Sequence, residues 1–451
     1  RSHCDWSSDV CSSDLAMATH FKWNDKNFIK SGFIATTILF LGYIWSNPKI
    51  STEQLGSHNL ARIEMDTPKS QLKLIEYIEG DFSTLSVIEN KKSKSRTLYM
   101  NGFSTATVSD SIGGSDYMQA MGFIPMVLHP NPKKAMVICF GTGNTTGTVS
   151  LFPGVQVDGI EIDKNVLSLA HHFSKWNHNA QKKKNIHMYI QDGRTFTRWT
   201  QNKYDVITLE PMSPIQAGTV NLYSREFYQL AAERLNKDGL MMQWLPLHLV
   251  GPDDAKSILK TFQEVYPHTS IWNSFLTRIV LLVGSKEEIA LDKIRFEELM
   301  RIPEIQNSAQ QIGINTFLDF TDFFLTDANK VNSFMQNADL ITDDRPLLEF
   351  SPVTLLPPLK SEVDETFLNY LKYRIGNYPQ VRGMMPSEKR RWKKDFRTRT
   401  AQRLSIFSRR YHGPGESAFM KKNYSKGLNE VATYLDNKKD QPIRLKGIQW
   451  E

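Results

Sequence analysis

The chain has 451 residues, of which 40% are hydrophobic and 11% aromatic. That content suffices for a full core and excludes an intrinsically disordered chain. Three cysteines are too few for a disulfide framework or a cysteine-built metal cluster, and the net charge of +7 gathers near the C-terminus, in 387–403, where it marks a tail rather than a basic domain.

Residues 1–15, RSHCDWSSDVCSSDL, contain Cys4 and Cys11 and resemble translated sequencing-adaptor DNA. Set aside, they leave Met17 as a candidate start and Cys139, inside the apolar run AMVICF, as a core thiol of a reduced protein. Residues 16–50 form a membrane-anchor-like segment, in which Lys22, Lys26 and Lys30 precede the apolar run 32–45. A spanning helix needs roughly 17–25 mainly apolar residues, so this run spans if Phe28 and Ile29 join it and Lys30 snorkels. A signal-peptide core and a buried helix remain alternatives. The lysines alone would put the following domain outside the cytoplasm, whereas a membrane domain missing upstream would set the orientation elsewhere.

Residues 51–130 read as a small β-rich unit, because apolar and polar residues alternate from Tyr77 to Tyr99 around a basic turn, Lys91 to Arg96. In residues 131–290 short apolar runs recur at Ala135–Phe140, Val155–Ile162, Asn185–Ile190, Val206–Leu209, Leu240–Trp244 and Ile279–Val283. Amphipathic helices such as Lys164–Trp176 and Ser224–Leu235 lie between them. This alternation predicts an α/β fold with a doubly wound, mostly parallel sheet. Residues 291–355 read as a helical extension and 356–451 as a basic helical tail broken at Pro386 and 413–415. The run Lys389-Arg390-Arg391-Trp392-Lys393-Lys394 reads either as a surface for anionic lipid or as a solvated helix.

The first strand of the sheet runs into Phe140-Gly141-Thr142-Gly143-Asn144-Thr145-Thr146-Gly147, where glycines permit a tight turn and a close approach of backbone to ligand. About twenty residues after Gly141, Glu161 ends the next strand, where an acid can hold a ribose diol by two hydrogen bonds. The third strand is followed by Gln191-Asp192-Gly193, where a carboxylate can accept from an adenine amino group or merely serve a turn. Together the three elements predict a nucleoside site. A phosphate-binding loop is disfavoured, since no Walker lysine is present. His171, His172 and His178 share one predicted helix without an acid or cysteine at ligand spacing, so no metal is expected.

The fourth strand delivers Leu209-Glu210-Pro211-Met212-Ser213-Pro214, then Leu222-Tyr223 and Phe227-Tyr228, then Gly239-Leu240-Met241-Met242-Gln243-Trp244. Over about residues 75 to 285 this pattern resembles the spermidine synthase (polyamine aminopropyltransferase) family. It is closest to a bacterial branch that often carries membrane segments and a Thr-Asp-Asp-Arg-Pro stretch, matched here by Thr342-Asp343-Asp344-Arg345-Pro346. The resemblance implies a Rossmann-like class I methyltransferase fold behind a small antiparallel β unit. It implies that Gly141, Gly143 and Gly193 line the donor, Glu161 holds its ribose and Asp192 its adenine, and Glu210 stands where the family's catalytic acid deprotonates the attacking amine. Tyr117, Gln119, Ser213, Tyr223 and Gln243 fall on the acceptor side.

Departures gather on that side: Ser213 replaces an acid, Tyr117-Met118-Gln119 replaces Tyr-His-Glu, and Phe82-Ser83 replaces an upstream Tyr-Gln pair. The expected reaction is aminopropyl transfer from decarboxylated S-adenosylmethionine to a small-molecule amine. Its rivals are S-adenosylmethionine-dependent methyl transfer and a non-catalytic, membrane-tethered module that binds nucleoside or polyamine. No nucleic-acid partner is expected. Family members assemble as dimers or tetramers, which leaves room for a homodimer, and the expected location is the bacterial inner membrane, reached through residues 16–50 and the basic tail, with the domain on the cytoplasmic side.

Overall fold

Period-two alternation shapes the first ordered stretch: β1 (Leu72–Glu79), β2 (Thr84–Asn90), β3 (Arg96–Met100) and β4 (Phe103–Val108) form an antiparallel meander. Leu85, Val87, Leu98, Ala106 and Val108 are among its buried residues. Asn101 and Gly102, at φ of 52° and 79°, make the two-residue hairpin turn between β3 and β4, since both positions demand the left-handed backbone. This computed structural model describes residues 71–110, 116–214, 216–273, 278–354, 358, 360–411 and 415–436. Residues 1–15 and the membrane-anchor-like segment 16–50 lie outside them. Among the described residues no helix is long and apolar enough to cross a membrane.

After the meander, α1 (Asp116–Leu128) buries all thirteen of its residues. Then strands and helices alternate: β5 (Lys134–Ile138), α2 (Asn144–Val149), β6 (Gln156–Glu161), α3 (Lys164–Leu169), β7 (Ile186–Ile190), α4 (Gly193–Trp199), β8 (Tyr204–Leu209), α5 (Arg225–Arg234), β9 (Leu235–Pro246), α6 (Pro252–Val265), β10 (His268–Asn273) and β11 (Ile279–Ser285). A short strand, β12 (Leu291–Asp292), leads into α7 (Lys293–Leu299), α8 (Pro303–Gln311), α9 (Phe317–Asp322) and the edge strand β13 (Phe324–Asp327). The tail consists of α10 (Lys360–Arg374), β14 (Val381–Arg382), α11 (Pro386–Tyr411), α12 (Glu416–Met420) and α13 (Tyr424–Asp436).

The sheet runs β13-β10-β11-β9-β8-β5-β6-β7. Pairing is parallel from β7 to β9 and antiparallel from β9 to β13. This is the doubly wound class I methyltransferase frame, preceded by a small antiparallel sheet, as the sequence leads one to expect. Both faces are covered, which explains the nearly continuous apolar strands. Met136, Ile138, Ile160, Ile207 and Met241 belong to one core cluster with α5 and α6, while Val137, Val157, Val206 and Met242 belong to the other with α1.

One expected element is shorter than its periodicity suggests. The helix read over Lys164–Trp176 stops at Leu169 and continues as a 3-10 turn, 170–173. Asn177 explains the end: its amide donates to the carbonyls of Thr142 and Ala170, at 2.9 and 3.0 Å, and the next residues, His178 and Asn179, take left-handed φ of 55° and 56°.

The tail is joined to the sheet edge through Arg374, whose side chain has no exposed surface. It pairs with Asp322, donates to the Asp322 carbonyl at 2.8 Å and Thr400 Oγ1 at 2.9 Å, and reaches the Phe324 carbonyl. Burial pulls its pKa down to about 9, against the opposing attraction of Asp322. Removing one partner of a buried pair strands the other charge, so Arg374→Ala is expected to cost about 3–5 kcal/mol in urea unfolding, whereas exposed Arg345→Ala costs under about 1 kcal/mol.

Candidate functional site

Parallel strands deliver their C-terminal ends to one rim, and the turn after β5 is shaped there by backbone conformations that few residues adopt. Cys139, Gly141 and Gly143 have φ of 69°, 55° and 83°, and Gly143 caps α2. Glu161, the last residue of β6, draws this turn against its own strand. One carboxylate oxygen accepts from the N–H groups of Phe140 at 3.0 Å and Gly141 at 3.4 Å; the other accepts from Ile162 at 2.9 Å and Asp163 at 3.1 Å. Burial raises the Glu161 pKa and these four donors pull it back.

Asp192 stands exposed after β7 and caps α4 through Thr195 N–H at 2.7 Å. Gly193 is required beside it, because a Cβ there would lie 2.4 Å from Ile138 Cγ2 of β5. Gly147 has a harder constraint: its Cβ would lie 2.0 Å from the Asn177 carbonyl oxygen.

Glu210 follows β8, and its backbone N–H reaches the Ile138 carbonyl at 3.4 Å. Its carboxyl accepts from the Tyr117 hydroxyl of α1 at 2.5 Å. Desolvation pushes its pKa up to about 8, with the Tyr117 bond acting in the opposite direction. Burial, and then the charge of Glu210, hold the Tyr117 hydroxyl well above its ordinary value. The Tyr117 ring stacks on Trp244 with centroids 6.5 Å apart and planes at 25°. Buried Tyr223 reaches the Trp244 carbonyl at 3.5 Å, and Gln243 Nε2 donates to the same carbonyl at 3.1 Å. Ser213 Oγ, Gln243 Oε1 and Trp244 Nε1 are buried without a hydrogen-bond partner among the described residues. Buried polar atoms of this kind are costly unless a ligand or water meets them.

The structure thus brings Tyr117, Glu210, Tyr223 and Gln243 together, beside a rim holding Gly141, Gly143, Glu161 and Asp192. Gln119 is elsewhere: it donates to Gln311 of α8 at 2.8 Å. Phe82 is exposed, and Ser83 is bonded to Asp163 at 2.7 Å. The three histidines separate. His178 is half-buried, and desolvation, with the nearby charge of Lys183, brings its pKa down to about 4. His171 and His172 stack with centroids 3.9 Å apart, and Glu76 of β1 pairs with His172. Glu76 is an acidic neighbour that local spacing cannot reveal, lying 96 residues upstream. With ligand atoms all within 4.8 Å of one another, Glu76, His171 and His172 form a grouping of metal-ligand type.

Cys139 was read only as core. It does pack partly buried against the core, and its left-handed φ of 69° also makes it the first residue of the rim turn; burial, and then the charges of Glu161, Glu210 and Asp192, hold its thiol pKa well above the ordinary value. Trp244, a buried member of the core, is the stacking partner of Tyr117.

Comparison with known proteins gives one consistent picture. Residues 115–283 match the family described as the spermine/spermidine synthase domain. The polyamine aminopropyltransferase of Alkaliphilus oremlandii is 24% identical over 44% of this chain and 69% of its own length. That of Methanocaldococcus jannaschii is 25% identical over 58% of this chain and 90% of its own. A solved spermidine synthase from Thermotoga maritima superposes with a TM-score of 0.44 at 21% identity, covering 67% of this chain and 88% of that one.

The rim predicts an ordering of glycine substitutions. Gly147→Ala pushes a Cβ into fixed backbone and is expected to cost about 1–3 kcal/mol. Gly141→Ala meets no atom within 4 Å and carries only the left-handed backbone penalty, about 1 kcal/mol. Denaturant unfolding of both variants measures the difference.

Proposed function

We propose that this chain, whose residues 115–283 match the spermine/spermidine synthase domain family, is a transferase that moves an aminopropyl group from decarboxylated S-adenosylmethionine to a small-molecule amine. The observation that carries the reading is Glu210, a desolvated carboxyl held by Tyr117 at the mouth of the sheet, beside the nucleoside rim. In the reaction, the amine nitrogen attacks the methylene carbon next to the sulfonium. A C–N bond forms, the C–S bond breaks, and its electron pair stays on sulfur, giving a neutral thioether. The nitrogen must lose a proton, and Glu210 is the group to take it.

In this reading the Gly141–Gly143 turn lies against the donor and Asp192 accepts from its adenine. Glu161 meets the ribose diol by giving up its longest bond, the 3.4 Å contact from Gly141. Ser213 Oγ, Gln243 Oε1 and Trp244 Nε1 supply neutral polar contacts to the acceptor, with Tyr117 and Tyr223 as aromatic walls. Tethering on the cytoplasmic side of the bacterial inner membrane would rest on residues 16–50 and the basic tail, and a homodimer is compatible with it. Methyl transfer from S-adenosylmethionine is the rival chemistry. It uses the same nucleoside contacts but needs no base for a cationic acceptor.

Glu210→Gln tests the proposal. It keeps the shape and removes the base, so aminopropyl transfer is expected to fall by about 10²–10⁴. An unchanged rate rules out the assigned role. The pH dependence adds a second reading. In the fold the Glu210 pKa lies above its ordinary 4.5, so the stability that its neutral form contributes is present below about 4.5 and is lost as pH rises through about 8. Unfolding midpoints measured across pH 4 to 9 should therefore fall more for the native chain than for Glu210→Gln. Tyr117→Phe removes a bond that favours the carboxylate, and should shift the midpoint of kcat/KM toward higher pH.

A further inference from the structure

At the β13 edge of the sheet, far in strand order from the β6–β7 rim, the tail folds back beside an open hollow of about 500 Å³. Four cationic side chains line it: Lys330 after β13, Arg382 of β14, and Lys389 and Lys393 of α11. Its one acidic lining residue, Glu288, is engaged by the Gln380 side chain. None of the four cations forms an ion pair among the described residues. Lys389 donates to the Val381 carbonyl at 3.3 Å, and Lys393 lies 5.1 Å over the Tyr378 ring, so two of the four are held against the cavity walls. Charge of the same sign continues outside it on exposed Arg390, Lys394 and Arg397.

Gathering four cations around one concave space, with Glu288 as the one acid in its lining, leaves an excess of positive charge that an entering anion offsets. We infer that this cavity binds the phosphate group of an anionic ligand. A phosphate suits it better than a carboxylate, because one phosphate offers up to two charges and three acceptor oxygens to several cations at once, and the Arg382 fork can engage it bidentately. A duplex backbone is met by a long stripe of charge, whereas this 500 Å³ hollow between a turn, a strand end and a helix is of a size for one phosphate-bearing head. This site stands apart from Glu210 and does not depend on the transferase reading. The same headgroup chemistry is available from a soluble phosphate compound or from a phospholipid.

The test uses the full chain at low ionic strength, with matched sodium chloride as the control. Calorimetric titration with pyrophosphate is paired with sedimentation on vesicles of phosphatidylcholine with and without phosphatidylglycerol. Two double variants are compared: Lys330→Gln with Lys393→Gln, which line the cavity, and Arg390→Gln with Lys394→Gln, which remove equal charge outside it. The inference predicts binding that weakens by about tenfold or more in the first pair and by less than about threefold in the second. Pyrophosphate binding with this pattern assigns a soluble ligand, and vesicle binding alone with this pattern assigns a lipid headgroup. Equal weakening in both pairs, or no binding of either probe, overturns the inference. So does retention of a DNA duplex by a chain that binds neither probe.

Discussion

The four backbone N–H groups that converge on Glu161 are the constraint on which the rim depends. They come from two segments, Phe140 and Gly141 after β5 and Ile162 and Asp163 after β6, and they bind one carboxylate. Each bond to a charged acceptor contributes more than a neutral one, about 1.5–3 kcal/mol net. Together they hold the glycine turn in the left-handed conformations that open the backbone toward a ligand. Asn177 completes the clamp from behind by anchoring the Thr142 carbonyl, and Gly147 is the only residue type that fits against it.

Two acids at the same rim are treated in opposite ways. Glu161 is surrounded by donors, and its desolvation is largely answered by hydrogen bonds. Glu210 has one, from Tyr117, and its pKa climbs to about 8. An acid in the first environment serves as a fixed acceptor, while one in the second can hold or release a proton near neutral pH. A cationic sulfonium beside Glu210 would favour its carboxylate form, so donor binding would itself prepare the base. The neutral atoms around it, on Ser213, Gln243 and Trp244, orient a partner without adding charge.

Much of this architecture is legible in the chain. Strands buried on both faces show as apolar runs, and acids at strand ends can be located because a parallel sheet sends every C-terminal end to one rim. The Asn101-Gly102 dipeptide is a hairpin signal just beyond the Tyr77 to Tyr99 alternation, and the structure places the β3–β4 turn there. What stays hidden is long-range. Nothing near His172 announces Glu76, nothing near Gln119 announces Gln311, and the Tyr117–Glu210 bond joins residues 93 apart. Periodicity likewise reads through Leu169, because the Asn177 amide, which bonds both the Ala170 carbonyl at the helix end and the Thr142 carbonyl of the glycine turn, leaves no mark on the spacing of apolar residues. Cys139 illustrates the same limit: an apolar neighbourhood in sequence became a rim position once the strand ended in a left-handed turn.

The central claim is that the nucleoside rim and the Glu210 pocket together take a decarboxylated sulfonium donor. It is tested most directly by calorimetric titration of the protein with S-adenosylmethionine, its decarboxylated form and methylthioadenosine in turn. The donor carboxylate is the one group that separates aminopropyl from methyl transfer, and it would be brought toward the rim acids. The account predicts preference for the decarboxylated donor and for methylthioadenosine. Preference for S-adenosylmethionine, or no binding of any of the three, would contradict it.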